Sequence, residues 1–246
     1  MSEPLTLRIA HLYAHFLNIY GDRGNLITLL QRSAWRGIGV TVDPIGLNED
    51  FDPAMFDIYF IGGGQDKQQQ IIAADLNCRR KKLHEAVNGG SVILAVCGGY
   101  QLLGHYYRPA SGDELAGISL IDAWTVAGSR RMIGNVVVRR PDGSTLVGFE
   151  NHSGRTFLGK DVEPLGRVIT GNGNNGDDHL EGTAQAVGRG KVFGTYLHGS
   201  LLPKNPIFAD ELIALGLARR HNSVKLPPLD DALENEAHER ALRLRA

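Results

Sequence analysis

Cys97 stands where the sequence changes from strand-forming to helix-forming residues. The segment SVILAVCGGYQLLG (91–104) begins with an apolar run, bends at Cys97 and two glycines, and continues with helix formers. A cysteine on a sharp strand-to-helix turn projects above the sheet, and the positive end of the following helix stabilises its thiolate. The segment therefore predicts a nucleophile, although a buried cysteine before a turn would look the same.

Glycines near Cys97 could supply N–H groups to a developing oxyanion. Gly98 follows the cysteine directly, and Gly62, Gly63 and Gly64 end the neighbouring predicted strand FDIYFIGGG. Backbone N–H groups aimed at the position of a developing negative charge stabilise acyl-transfer transition states. The pattern indicates acyl transfer.

A cysteine nucleophile needs a base, and His198 is the best candidate among the nine histidines. It lies in GTYLHGS, just after a predicted strand, so it ends a strand as Cys97 does. Both side chains could then face one cleft. The alternative for a single histidine is a structural role. Cys78, in ADLNCRRKKLHEA, has no glycine turn after it and is interpreted as structural.

The elements that would position these residues alternate in the first half of the chain. Strand signals such as LTLRIAHLY and FDIYFIGGG are separated by helical segments such as NLITLLQRSAWRG. This alternation predicts a mostly parallel sheet with helices on both faces, whose ligands bind at the carboxyl ends of the strands. After about residue 115, β-rich segments predict an antiparallel extension. We expect one domain over 1–246, a loop at 171–178, and a C-terminal surface helix at about 229–244.

The composition excludes several classes of function. The 246 residues are 42% hydrophobic and 22% charged, with a formal net charge of −1, so no strong field would recruit nucleic acid or anionic lipid. The sequence contains neither an apolar run of the roughly 20 residues that a membrane span needs nor a secretory signal at its start, and predicts a cytoplasmic protein. The cysteines and histidines lack metal-site spacing, and GGGQDKQQ lacks the order of a phosphate-binding loop.

Six segments in one order resemble class I glutamine amidotransferases of the cobyric acid synthase type. More narrowly, they are similar to the GatD family, the glutaminase subunits of lipid II isoglutaminyl synthases. The segments are NIYGDRGN (18–25), FIGGGQDKQQ (60–69), CGGYQLLG (97–104), GFENHSGRT (148–156), GNGNN (171–175) and GTYLHGSLLPKN (194–205). The resemblance covers the whole chain and implies a class I amidotransferase fold.

The resemblance implies a reaction and a set of site residues. Cys97 would attack the side-chain amide of L-glutamine, His198 would protonate the departing ammonia, and water would hydrolyse the thioester to glutamate. Arg131 would bind the α-carboxylate of glutamine, with Arg130 as the alternative register. The substrate-binding residues expected in this way are Arg131, Gln101, Gly63, Gly64 and Gly98.

The resemblance also implies a partner. Ammonia would pass to a MurT-like Mur ligase subunit in a heterodimer, and that subunit would use ATP and Mg²⁺ to amidate the D-glutamate of lipid II to D-isoglutamine. No cofactor or metal is expected in this chain. Two alternatives stay open: a glutaminase for a cobyrinate or cobyric acid synthetase, and a non-catalytic subunit that only holds a partner.

The chain departs from the wider class in the residues after the histidine. Many members have Glu two residues after it, whereas here Gly199 and Ser200 follow His198. The tautomer of His198 would then be fixed by a backbone carbonyl or another side chain. Glu150 and His152, in FENH, are the candidates for this third position.

Overall fold

The computed structural model describes residues 4–198, 201–221 and 224–244, in which helices and strands alternate along the first half. The helices are α1 (Arg23–Ala34), α2 (Asp66–Cys78), α3 (Arg80–Asn88), α4 (Gly98–Leu103), α5 (Pro206–Ala218) and α6 (Ala232–Leu242). The strands are β1 (Thr6–Leu12), β2 (Gly39–Ile45), β3 (Ile58–Ile61), β4 (Val92–Val96), β5 (Tyr106–Arg108), β6 (Leu115–Ala116), β7 (Ala123–Arg139), β8 (Thr145–Leu158), β9 (Gly166–Thr170), β10 (Leu180–Glu181), β11 (Thr183–Val187) and β12 (Gly190–Thr195).

The first sheet is mostly parallel and has the strand order β11-β12-β4-β3-β1-β2. Every residue of β3 and β4 is buried, which explains their unbroken apolar sequences. From β1 the chain crosses to β2 at one edge of the sheet, and from β3 it crosses to β4 on the other side. Because such crossovers are right-handed, α1 and the α2–α3 pair lie on opposite faces. The predicted parallel sheet between helices is confirmed. The order in which the chain adds strands reverses between β1 and β3, and ligands of such sheets bind at that point.

The predicted antiparallel strands are present but divided between two sheets. β11 and β12 join the first sheet, where β11 is antiparallel to β12 but β12 is parallel to β4. The remaining strands form a second sheet of order β10-β9-β7-β5-β6, with β8 paired to β7 and, among the described residues, only the β5–β7 pair parallel. β7 and β8 make a long antiparallel ribbon whose register shifts between Ala127 and Met132. A bulge of this kind bends the strand and re-aims the side chains within it. Two of the arginines singled out in the sequence lie at this bulge.

Helices α2 and α6 begin at residues that the sequence did not indicate. Helix α2 begins at Asp66, shortly after the glycines that follow β3, and Cys78 is its last residue. Helix α6 starts at Ala232 and lies on the surface as expected, with Ala241 as its buried residue, and ion pairs at its start anchor it to the rest of the fold. Asp231, at its N-terminal cap, pairs with the fully buried Arg32 at 2.6 Å, and Asp210 of α5 binds the same guanidinium at 2.7 Å.

No helix within the described ranges is long and apolar enough to cross a membrane.

Candidate active site

Cys97 occupies the sharp bend between β4 and α4. Its backbone has a φ of +48° and a ψ of −107°, a strained conformation for a residue with a side chain. The bend is held by hydrogen bonds, because the Cys97 N–H donates to Thr195 O of β12 at 2.8 Å and the Gly99 N–H donates to Gly62 O at 3.2 Å. A Cβ at Gly99 would lie 2.9 Å from Gly62 O, so this close approach requires glycine. The elbow expected from the sequence is present.

His198 follows β12 and is fully buried against a carboxylate from another strand end. Its Nδ1 lies 3.4 Å from Asp22 Oδ1, and Asp22 Oδ2 accepts a hydrogen bond from the Gly63 N–H at 2.6 Å. Asp22 ends the loop after β1, and it is itself fully buried. Residues after β1, β3, β4 and β12 therefore converge at one edge of the first sheet.

The charges around His198 favour its protonated form. Burial alone would lower the pKa of His198, but the nearby Cys97 sulfur and the Asp22 carboxylate outweigh burial and raise that pKa to about 10. Nε2 has no hydrogen-bond partner at standard distances among the described residues, and Cys97 is one of the two neighbours that raise the pKa of the ring. The arrangement can support a thiolate beside an imidazolium.

Neither Glu150 nor His152 takes the third position for which the sequence proposed them. Glu150 is committed to the loop at 171–175, since its carboxylate accepts hydrogen bonds from the N–H of Asn172 at 2.8 Å and of Gly173 at 2.9 Å. Burial raises the pKa of Glu150, but the neighbouring His152 and the side-chain amide and N–H of Asn172 outweigh burial and hold that pKa below its usual value. Asp22 stands against His198 instead, and Ser200 lies outside the described residues.

His152 lies on the wall of the cleft. Its Nδ1 is 2.7 Å from Gly154 O, and its ring stacks on Tyr196 with the ring centres 3.6 Å apart. A neutral or charged imidazole that contacts a carbonyl oxygen through Nδ1 carries its proton there. His152 is therefore fixed by its neighbours and does not reach His198.

The expected oxyanion donors need one correction. The Gly63 N–H is bonded to Asp22 and is not free to bind an oxyanion. Gly98 opens α4, where the first N–H groups of a helix have no partner within the helix. Gly64 lines the cleft beside Cys97. Gly98 and Gly64 stay the predicted donors.

A cavity of about 370 Å³ opens beside Cys97 and contains most of the expected binding residues. Arg131 lines it, whereas Arg130 points elsewhere and donates to Asn172 Oδ1 at 3.0 Å. Arg131 Nε donates to Asn151 Oδ1 at 2.6 Å, which fixes the guanidinium at the rim while leaving donors free for a ligand. Of the two registers considered, the structure brings Arg131 to the cavity.

Gln101 also lines the cavity, but its amide group is bound to protein atoms. Gln69 Nε2 donates to Gln101 Oε1 at 3.0 Å, and Gln101 Nε2 donates to the Tyr196 hydroxyl at 3.0 Å. The Tyr196 hydroxyl continues the chain to Thr156 at 2.6 Å. This buried hydrogen-bonded chain holds the Gln101 amide in one orientation, although Gln69 Oε1 has no partner among the described residues.

Two residues at this site were missed in the sequence, Asp22 and Tyr20. The Tyr20 ring meets the edge of His198 with centres 4.8 Å apart, and its hydroxyl lies 3.4 Å from Arg131 NH2. Both belong to NIYGDRGN, which follows the buried strand β1. The position of a polar segment after a buried strand was the signal that could have pointed to them, as it did for Cys97.

Within the described ranges, no group of three or more His, Cys, Asp or Glu side chains is arranged to hold a metal ion. The expectation of no metal in this chain stays a prediction.

Comparisons with known proteins agree with this geometry. Residues 8–206 match the family model of the CobB/CobQ-like glutamine amidotransferase domain. The GatD subunit of the glutamine-hydrolyzing lipid II isoglutaminyl synthase of Streptococcus pneumoniae is 41% identical, over 96% of this chain and 90% of that protein. The corresponding subunit of Staphylococcus aureus is 38% identical, over 94% of this chain and 93% of its own length. A cobyric acid synthase of Pelotomaculum thermopropionicum is 28% identical, over 71% of this chain and 35% of its own length.

Proposed function

From the premise that this chain belongs to the CobB/CobQ-like glutamine amidotransferase family, we propose that it is the glutaminase subunit of a lipid II isoglutaminyl synthase. The observation that carries this proposal is the similarity to two GatD subunits along nearly the whole of both chains. The alternative, a subunit for cobyrinate or cobyric acid amidation, is less favoured, because the cobyric acid synthase is less similar and is matched over only 35% of its length.

The proposed reaction begins with the Cys97 thiolate, which attacks the side-chain carbonyl carbon of L-glutamine. The C=O electron pair moves to oxygen, and the N–H groups of Gly98 and Gly64 bind that oxyanion. As the oxyanion collapses, the C–N bond breaks and His198 gives its proton to the departing nitrogen, which leaves as ammonia. The product is a γ-glutamyl thioester on Cys97.

Hydrolysis reverses the role of His198. Now neutral, it takes a proton from water, whose oxygen attacks the thioester carbon, and glutamate leaves as the C–S bond breaks. Asp22 would keep Nδ1 turned toward itself in both steps, so that Nε2 stays turned toward the sulfur. The raised pKa of His198, about 10, supports this use as an acid at neutral pH.

The ammonia would be used by a partner. In this proposal a MurT-like Mur ligase subunit binds ATP and Mg²⁺, activates the α-carboxylate of D-glutamate in lipid II, and receives ammonia from this chain. The names of the two GatD relatives, which describe subunits of a synthase, support a two-component complex.

The experiment that tests the function is reconstitution with the Mur ligase subunit of the same organism. With L-glutamine, ATP and Mg²⁺, we expect amidated lipid II by mass spectrometry. When this chain is omitted, the rate of amidation should fall to the rate that ammonium alone supports. Cobyrinic acid with its own synthetase is the matched acceptor for the alternative. Amidation of cobyrinate but not of lipid II would refute the assignment.

A prediction for Arg131 follows from its place in the cavity. Arg131→Gln should raise the KM for L-glutamine about 10- to 100-fold with a much smaller change in kcat, because a charge-assisted bidentate contact to the α-carboxylate is lost. Arg130→Gln is the matched control, since Arg130 binds Asn172 outside the cavity. Steady-state glutaminase kinetics measure both, and a larger KM effect from Arg130→Gln would refute the role of Arg131.

A further inference from the structure

The cavity beside Cys97 carries unpaired charges of both signs. Asp66 is the one acidic side chain among its lining residues in the described part of the chain, and the cations Arg131 and Lys67 line the same cavity. None of the three forms an ion pair with another described residue. A pocket with charges of both signs outside ion pairs is suited to a ligand that carries both opposite charges.

A buried tyrosine holds the Asp66 carboxylate in place. The Tyr107 hydroxyl donates to Asp66 Oδ1 at 2.9 Å, and Tyr107 is only 1% exposed. Burial, this hydrogen bond and the charge of Asp66 raise the pKa of Tyr107 above its usual value. Tyr107 lines the same cavity as Cys97, Arg131 and Asp66. A carboxylate that accepts one phenol has acceptor capacity left for another donor.

We propose that Asp66 binds the α-ammonium group of L-glutamine and that Tyr107 is its positioning residue. The inference rests on the proposed glutaminase function and extends it to the selection of substrate. Arg131 and Asp66 bind the two charges of the amino acid, and the side-chain amide is left to reach Cys97. The cavity then selects a zwitterionic amino acid over a primary amide that has a carboxylate alone.

Asp66 also has a simpler possible role, because it lies in the first turn of α2, where a negative charge stabilises a helix. Asp66→Asn separates the two roles. Asparagine keeps a side-chain oxygen for the Tyr107 hydroxyl and is a good residue near a helix start, but it removes the charge. Asp113→Asn is the matched control, since Asp113 is an exposed acid that does not line the cavity.

The test compares L-glutamine with glutaramic acid, which has the same amide and carboxylate but no amino group. In the complex with its ligase subunit, Asp66→Asn should raise the KM for L-glutamine about 10- to 100-fold and leave that for glutaramic acid within about 2-fold. Tyr107→Phe should raise the KM for L-glutamine by less, about 3- to 10-fold, again without an effect on glutaramic acid. Asp113→Asn should match the wild-type complex with both.

Calorimetric binding of both compounds to the Cys97→Ala complex gives the same comparison without turnover, so it stays informative even if the glutaminase proposal fails. Selective loss of L-glutamine affinity in Asp66→Asn supports the inference. An equal loss for both compounds, or unchanged affinity with a lowered Tm, overturns it.

Discussion

The Cys97→Ala variant is expected to hydrolyse glutamine at less than about one thousandth of the wild-type rate, because no other group can form the thioester. It should still bind the ligase subunit and L-glutamine, since the change removes one sulfur atom from a cavity whose other lining residues, Gln101 and Arg131 among them, remain. Amidation of lipid II should therefore continue when ammonium replaces glutamine. This separation of two activities is the measurement, made by following glutamate release and lipid II mass in parallel.

Cys78→Ala is the matched control for the cysteine change. Cys78 is exposed at the end of α2 and does not line the catalytic cavity, so its replacement should leave both activities intact. A glutamine-derived diazo-ketone should label Cys97 and spare Cys78 in peptide mass spectrometry. An unmodified Cys97 in the folded protein, or glutamine hydrolysis that survives in Cys97→Ala, would contradict the proposed mechanism.

The second large effect is expected from Asp22→Asn, which removes the carboxylate beside His198 while keeping the size of the side chain. The loss in kcat/KM should be about 10²- to 10⁴-fold, because an amide can favour the wrong tautomer of the imidazole. The Gly63 N–H keeps a side-chain oxygen as its partner, which limits the structural cost. The loss should therefore be catalytic rather than a failure to fold.

The pH dependence of kcat/KM should shift in a defined direction when Asp22 is replaced. Negative charge on Asp22 and Cys97 raises the pKa of His198 to about 10, so the proton that His198 must donate is present up to that pH and is lost above it. Replacing Asp22 by a neutral residue removes part of this stabilisation, and the alkaline limb of kcat/KM should move to lower pH.

Glu150→Gln is the informative comparison for Asp22. Glu150 is as deeply buried as Asp22, but its carboxylate binds the loop at 171–175 and not His198. This variant should lower the melting temperature while leaving the alkaline limb in place. A shift of the limb in Glu150→Gln, with none in Asp22→Asn, would return the orienting role to the residue proposed from the sequence.

The parts of the site that the sequence revealed are those encoded locally. The elbow at Cys97 depends on a strand, two glycines and a helix within 14 residues, and SVILAVCGGYQLLG contains them all. Asp22 and His198 are 176 positions apart, so their contact depends on the strand order, which no local pattern encodes. The choice between Arg130 and Arg131 depends on a register shift in the β7–β8 ribbon that no local sequence pattern locates.

The same reasoning explains what was missed in the fold. The Gln-rich start of α2 has weak apolar periodicity, so the sequence pattern does not indicate a helix after the glycines that follow β3. The antiparallel strands were recognised by composition, but composition does not say which sheet a strand joins. The attachment of α6 through Arg32 joins residues 199 positions apart and was equally invisible.

The division of the strands between two sheets has a consequence for the bound substrate. Cys97, His198 and Asp22 follow strands of the first sheet, whereas Arg131 belongs to the β7–β8 ribbon of the second. In the proposed complex, glutamine contacts Arg131 at one end and Cys97 at the other. The substrate would then link the two sheets, first by non-covalent contacts and then through the thioester to Cys97, and hydrolysis of the thioester would break the covalent part of that link in each turnover.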